Sequence, residues 1–123
     1  MQLNQETDTH RTRIQAYSET GVQIAGHWHS THLLLTGEHI IENWQPGPVT
    51  ELQQSDLTQL LTENPEVLIL GSGRHLQFPP QKLYAELAGK KIGLEVMDTA
   101  AACRTFNILL SEDRAVVAAL YIE

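Results

Sequence analysis

The chain reads as a single α/β domain in which two N-terminal β-hairpins precede a β-α-β-α-β-α-β run forming a mixed sheet. Three observations carry this reading. Before about Trp44, short runs alternate polar and apolar residues with a period of two between turn signals. From Ser55 onward, helix-spaced and strand-spaced segments take turns. The final run, Ala115 to Ile122, is apolar throughout and suits a strand covered on both faces. A length of 123 residues, with no repeat, linker or low-complexity tract, fits one domain over residues 1–123, residues 1–10 being a flexible N-terminal tail.

The elements follow in order. Arg13–Tyr17 and Val22–Ala25 alternate across Ser18-Glu19-Thr20-Gly21 and predict a hairpin with one wet face. His32–Leu35 and His39–Trp44, separated by Thr36-Gly37-Glu38, repeat the pattern, and Pro46-Gly47-Pro48 ends the β region. His27-Trp28-His29, between Gly26 and Ser30, reads as a loop. Ser55 is the expected cap of a helix with Leu57, Leu60 and Leu61 on one face, stopped by Pro65. Strand Val67–Leu70 follows, then a helix from Pro80 to Ala88 closed by Gly89, and strand Ile92–Met97. Asp98 or Thr99 caps a longer helix through about Leu110, and Arg114–Ile122 is a strand expected at the sheet centre.

Charge narrows the functional classes. Eight basic residues against 15 acidic ones give a net charge of −7, which argues against nucleic acid and against anionic membranes. Ala115–Ile122 is far shorter than the roughly 18–20 apolar residues a spanning helix needs, so no membrane insertion and a cytoplasmic location are expected. The lone Cys103 permits no internal disulfide.

The candidate residues gather at two loops. If the strands ending at Leu70 and Met97 are neighbours, Gly71-Ser72-Gly73-Arg74 and Asp98-Thr99 share the carboxyl edge of a sheet, where open α/β sheets place ligands. Glycines at 71 and 73 would let amides point outward to a phosphate or carboxylate, although Leu76 stands where a dinucleotide fingerprint needs a third glycine. A plain structural turn is the leading reading of this segment. Arg74 and Arg104, with His75 and Lys82, could converge there as a positive spot; the competing reading pairs each arginine with a carboxylate such as Asp98, Glu112 or Asp113. Cys103 sits where a helix dipole and Arg104 could activate a thiol, while its position flanking Phe106 and Leu110 favours burial. His27 and His29 could share a face as two metal ligands, but no third ligand is identifiable, so no metal and no cofactor are assigned. No nucleophile–base pair or carboxylate pair stands out, and no catalytic residue is named.

Val67-Leu68-Ile69-Leu70-Gly71-Ser72-Gly73, the run Glu95-Val96-Met97-Asp98-Thr99-Ala100-Ala101-Ala102-Cys103-Arg104-Thr105-Phe106-Asn107-Ile108-Leu109 and the closing Arg114–Leu120 together resemble the Mth938-like family, also called DUF498. The resemblance covers roughly residues 10–123. It implies a layered β plus α/β fold with a mixed central sheet. It also implies protein–protein roles, since a mitochondrial relative is an assembly factor for respiratory complex I and another mammalian relative is linked to adipogenesis. The family usually carries Gly-Thr-Gly where this chain has Gly71-Ser72-Gly73, so a hydroxyl is kept. Gly71, Ser72, Gly73, Asp98, Thr99, Cys103, Arg104 and Asn107 carry over, none with an established catalytic role.

Two functions follow as expectations. The first is a non-enzymatic protein-interaction or assembly-type factor, with a homo-oligomer compatible through the edges of Arg13–Tyr17 or His39–Trp44. The second is a domain binding a small anion or metabolite, conceivably an enzyme, at Gly71–Arg74 and Asp98–Arg104, with Asn107 included in the site.

Overall fold

The computed structural model describes residues 10–123. Residues 1–9 of the expected N-terminal tail therefore lie outside the described residues, and its last residue, His10, places Nε2 3.8 Å from Asp113 Oδ1.

A small antiparallel sheet comes first, in the order β1 (Ile14–Ser18), β2 (Gly21–Ile24), β3 (His27–His29). The predicted hairpin across Glu19-Thr20 is present. Its third strand replaces the loop expected at His27-Trp28-His29. Ala25 and Gly26, at φ 51° and 82°, make a two-residue turn of the kind that matches strand twist, and Gln15 Oε1 accepts from the Gly26 amide.

The larger sheet is mixed. It runs β5 (Ile40–Ile41), β4 (Leu33–Leu35), β8 (Val116–Leu120), β6 (Val67–Gly71), β7 (Gly93–Met97), with β8 antiparallel to β4 and parallel to β6, and β6 parallel to β7. The last strand thus takes the centre, as its unbroken apolar run requires, and all five of its residues are buried. Side chains alternate between two cores. Leu33, Leu35, Ile69, Val116, Ala118 and Leu120 face one side, while Leu34, Leu68, Leu70, Val117, Ala119 and Tyr121 face the other. The wet face expected for His32–Leu35 is absent for the same reason: β4 packs both faces, and Leu33, Leu34 and Leu35 are all buried.

Helix α3 (Thr99–Ser111) and the small sheet cover the first side; α1 (Thr58–Leu61), α2 (Gln81–Gly89), Trp44, Val49 and Leu52 cover the second. Asp98 caps α3 as expected, its Oδ1 accepting from the Ala101 amide at 2.9 Å. Ser55 is not a cap. A 3-10 turn over Gln54–Leu57 precedes α1, and a reciprocal box between Gln53 and Asp56 opens it. Gly89 does not close α2 either; it is the last helical residue. The left-handed position falls to Lys91 at φ 63°, with Lys91 N donating to Ala88 O and Ile92 N to Leu87 O. Those two bonds define a Schellman termination, in which glycine is the residue without steric cost.

Asn107 ties the layers together. Its Oδ1 accepts from Ile14 N and its Nδ2 donates to Ile14 O, both at 2.8 Å, so one carboxamide completes the outer edge of β1 in place of a neighbouring strand.

Lys91→Gly relieves the left-handed residue at the end of α2 and is expected to raise stability by about 1 kcal/mol, read as a shift in the urea midpoint at unchanged slope.

Candidate functional site

The ends of β6, β7 and β8 lie side by side, so the two loops singled out in the sequence do meet at one crest. What they build there is a hydrogen-bonded knot centred on Thr99. The fully buried Thr99 hydroxyl donates to Tyr121 O at 2.7 Å and accepts from Gly73 N at 2.8 Å, while Thr99 N donates to Gly73 O. Ser72 N donates to Met97 O, and Tyr121 N donates to Gly71 O. The amides of Ser72 and Gly73 are thus spent inside the protein, where outward donors were one expectation.

Both glycines are needed for this arrangement. A β-carbon on Gly71 would stand 2.9 Å from Thr99 Oγ1 and 3.0 Å from both Ala102 Cβ and Leu120 Cδ2, so the first turn of α3 would have to shift to admit one. Gly73 sits at φ 101°, a conformation that L-residues rarely adopt. Gly71 therefore serves close packing of α3 on the strand ends, and Gly73 the left-handed turn that follows β6.

Ser72 is buried, and its hydroxyl donates to His75 O at 2.8 Å while accepting from Gln77 N at 3.1 Å. This folds the segment between β6 and α2 back on its own backbone. Leu76 and Phe78 project from it, 53% and 57% exposed. Pro79 is buried beneath and fixes the far end of the segment. Trp28 on β3 and Ile108 on α3 are the other large apolar side chains exposed to this degree among the described residues.

Arg74 pairs with Glu19 at 3.5 Å, a carboxylate on the hairpin tip that the sequence did not suggest, and both side chains are well exposed. Tyr17 stands in the same corner. Burial pushes its phenol up, with smaller contributions from Cys103, Asp98 and Glu19 opposed by Arg74. Arg74, Asp98 and Cys103 thus all bear electrostatically on a tyrosine whose alternation in the sequence marks it only as a strand residue. Arg104 lies exposed on α3 with no ion-pair partner among the described residues; it acts on Cys103. Lys82 pairs with Glu86 along α2 at 3.9 Å, and His75 is exposed. Asn107 serves Ile14.

Cys103 is a core residue. Burial pushes its thiol up to about 12 from the ordinary 9.0, against the smaller opposing pull of Arg104, and a protonated thiol is a poor nucleophile. The histidines divide: His29 Nδ1 lies 3.4 Å from Glu42 Oε1, and His32 Nδ1 accepts from Ile122 N at 2.8 Å. Beside the crest, a cleft of about 290 Å³ opens between His32, Gly47, Val49, Gln77, Tyr121 and Glu123.

Comparison with known proteins agrees with this architecture. A family model described as "Protein of unknown function (DUF498/DUF598)" matches residues 14–121. The NADH dehydrogenase [ubiquinone] 1 alpha subcomplex assembly factor 3 of Danio rerio is 34% identical over 111 residues, covering 89% of this chain and 63% of that protein. The 13 kDa major membrane protein of Francisella tularensis subsp. holarctica is 29% identical over 85 residues, covering 67% of this chain and 68% of that one. The chain spans about three fifths of the length of the assembly factors it matches. Among solved structures, a Xanthomonas campestris protein superposes with a TM-score of 0.81 at 33% identity, covering 99% of this chain and 92% of that one. A Mth938-like domain from Bordetella pertussis gives 0.77 at 27% identity, with 93% and 87% covered.

Thr99→Val keeps the shape but strands Gly73 N and Tyr121 O in a buried place, and should cost about 2–4 kcal/mol in urea denaturation. The raised thiol has a second consequence. Because the unfolded state ionises Cys103 near 9 and the folded state holds the proton to about 12, its contribution to stability is complete below pH 9 and is lost as pH rises between those values. Cys103→Ala should therefore flatten the alkaline limb of the stability profile, measured by chemical denaturation from pH 7 to 10.

Proposed function

The chain belongs to the DUF498 family, and from that membership we propose that it acts as a protein-interaction factor of the assembly type, holding partner chains rather than turning over a substrate. One observation carries the reading: at the crest where α/β sheets usually present ligand-binding groups, the Ser72 and Thr99 hydroxyls and the Gly73 amide are committed internally, while Leu76 and Phe78 stand out from it on a braced segment. Large apolar side chains held in place by the backbone are what a protein partner buries, with little ordering cost on association. The relatives named as assembly factors of NADH dehydrogenase support a multi-subunit complex as the class of partner.

Small-anion binding at Gly71–Arg74 and Asp98–Arg104 is the weaker proposal. Ser72 N, Gly73 N and the Asp98 carboxylate, which such a site would use or avoid, already have structural tasks, and Arg74 is drawn to Glu19. No helix among the described residues is long and apolar enough to cross a membrane. The cytoplasm is the proposed location.

Replacing both Leu76 and Phe78 with Ser should leave the fold within about 0.5 kcal/mol of the parent, since neither supports the core. Capture of partners from an extract of the protein's own host, quantified by mass spectrometry, should fall about tenfold. A parent protein that captures nothing above a control bait would end the assembly reading.

A further inference from the structure

The five-stranded sheet ends on β7, which among the described residues pairs only with β6. Gly93 N donates to Glu66 O and Ser72 N donates to Met97 O, and these two bonds fix the phase of the parallel ladder. Gly93, Glu95 and Met97 turn their amides and carbonyls toward β6, so Leu94 and Val96 turn theirs outward. Among the described residues, no group bonds to those four. The other edges differ: the Asn107 carboxamide occupies β1 at Ile14, while β3 and β5 are only three and two residues long. The open edge also has chemistry on both faces. Glu95 is exposed and has no ion-pair partner among the described residues, whereas Leu94 and Val96 are partly exposed over the α2-side core.

We propose that the outer edge of β7 accepts an extended segment of a protein partner as a sixth strand, with a basic residue opposite Glu95 and an apolar residue on either side of it. Residues directly across two strands share a face, so the basic side chain meets Glu95 and its two neighbours meet Leu94 and Val96. The chain's net charge of −7 favours the same sign of partner. A second copy of this chain does not fit. The antiparallel register that engages all four outward groups is centred on Glu95 and sets that carboxylate against its own counterpart. The inference rests on the protein-interaction reading but uses a surface separate from Leu76 and Phe78, so the double serine variant should keep edge binding while losing contacts at the crest.

Amide exchange of the isotope-labelled protein alone is the first test. Leu94 and Val96 should exchange fast while Glu95 and Met97 are protected; protection at Leu94 and Val96 would mean the edge is already covered, by this chain or a copy of it, and would overturn the proposal. The second test selects random phage-displayed peptides of about nine residues against the full chain. The expected winners carry the apolar-basic-apolar pattern and, as synthetic peptides, bind Leu94→Pro about tenfold more weakly, because proline there removes an outward N–H and no ladder bond. Glu95→Lys, which leaves every main-chain group in place, should turn the selected centre from basic to acidic. Peptides indifferent to both substitutions, or a selection without that pattern, would overturn it.

Discussion

The structure depends on the way Thr99 is buried. A hydroxyl with no exposure must give and receive its hydrogen bonds inside the protein, and it does so with Tyr121 O after β8 and Gly73 N after β6. The ends of β6 and β8 are thereby fixed relative to the first turn of α3. Gly71 lets that turn come down onto the strands, since a β-carbon there would press on Thr99, Ala102 and Leu120 and push the turn away. With its N-terminus pinned, α3 has no freedom to slide, and two turns later Asn107 arrives at Ile14 in register to close the β1 edge. The small sheet is held to the large one by that helix, through Phe106, Cys103 and the bidentate carboxamide. A local knot of five polar groups thus sets the relative position of two layers.

The same economy shapes the surface. A central strand buried on both faces needs covers on both, and the described residues supply them with the small sheet, α1, α2, α3 and the segment carrying Trp44 and Leu52. Among the described residues, no buried side-chain nitrogen or oxygen is left without a partner. The Ser72 and Thr99 hydroxyls and the Ser72 and Gly73 amides at the crest are consumed by the fold, and Leu76 and Phe78 face water beside the exposed Arg74, His75 and Gln77. Under the proposed interaction role these apolar groups, held in water at a hydration cost, are the ones a partner would cover.

Much of this was legible in the sequence. The alternation from Val67 to Leu120 names β6, α2, β7, α3 and β8 in order, and the apolar run at Val116–Leu120 places that strand at the centre. The meeting of the two loops follows from parallel pairing alone. What stayed hidden are features without a local signature. β3 escaped because its turn is Ala25-Gly26 and lacks the Asn-Gly or Asp-Gly signal, even though Ala25 takes the left-handed backbone. Lys91 ends α2 through backbone bonds that need no glycine, only tolerance of strain. Asn107 and Ile14 lie 93 residues apart, and Arg74 finds Glu19 only because the hairpin tip is folded over the crest. Sequence spacing showed where candidate groups assemble but not whether the fold had already claimed their hydrogen bonds.

That distinction separates how a partner is found from how it is kept. An acidic chain draws basic surfaces at long range, an effect that fades within about 8 Å at physiological salt and acts mainly on the rate of encounter. Retention comes from desolvated contact, which here is available at Leu76 and Phe78 and in unpaired main-chain groups at a sheet edge. Both kinds of contact stand on rigid supports, the Ser72 brace in one case and a ladder-paired strand in the other, so binding need not first order the surface. A scaffold that spends the Thr99 and Ser72 hydroxyls on its own backbone and leaves apolar side chains and backbone amides to others has the features that the proposed role of holding chains together would use.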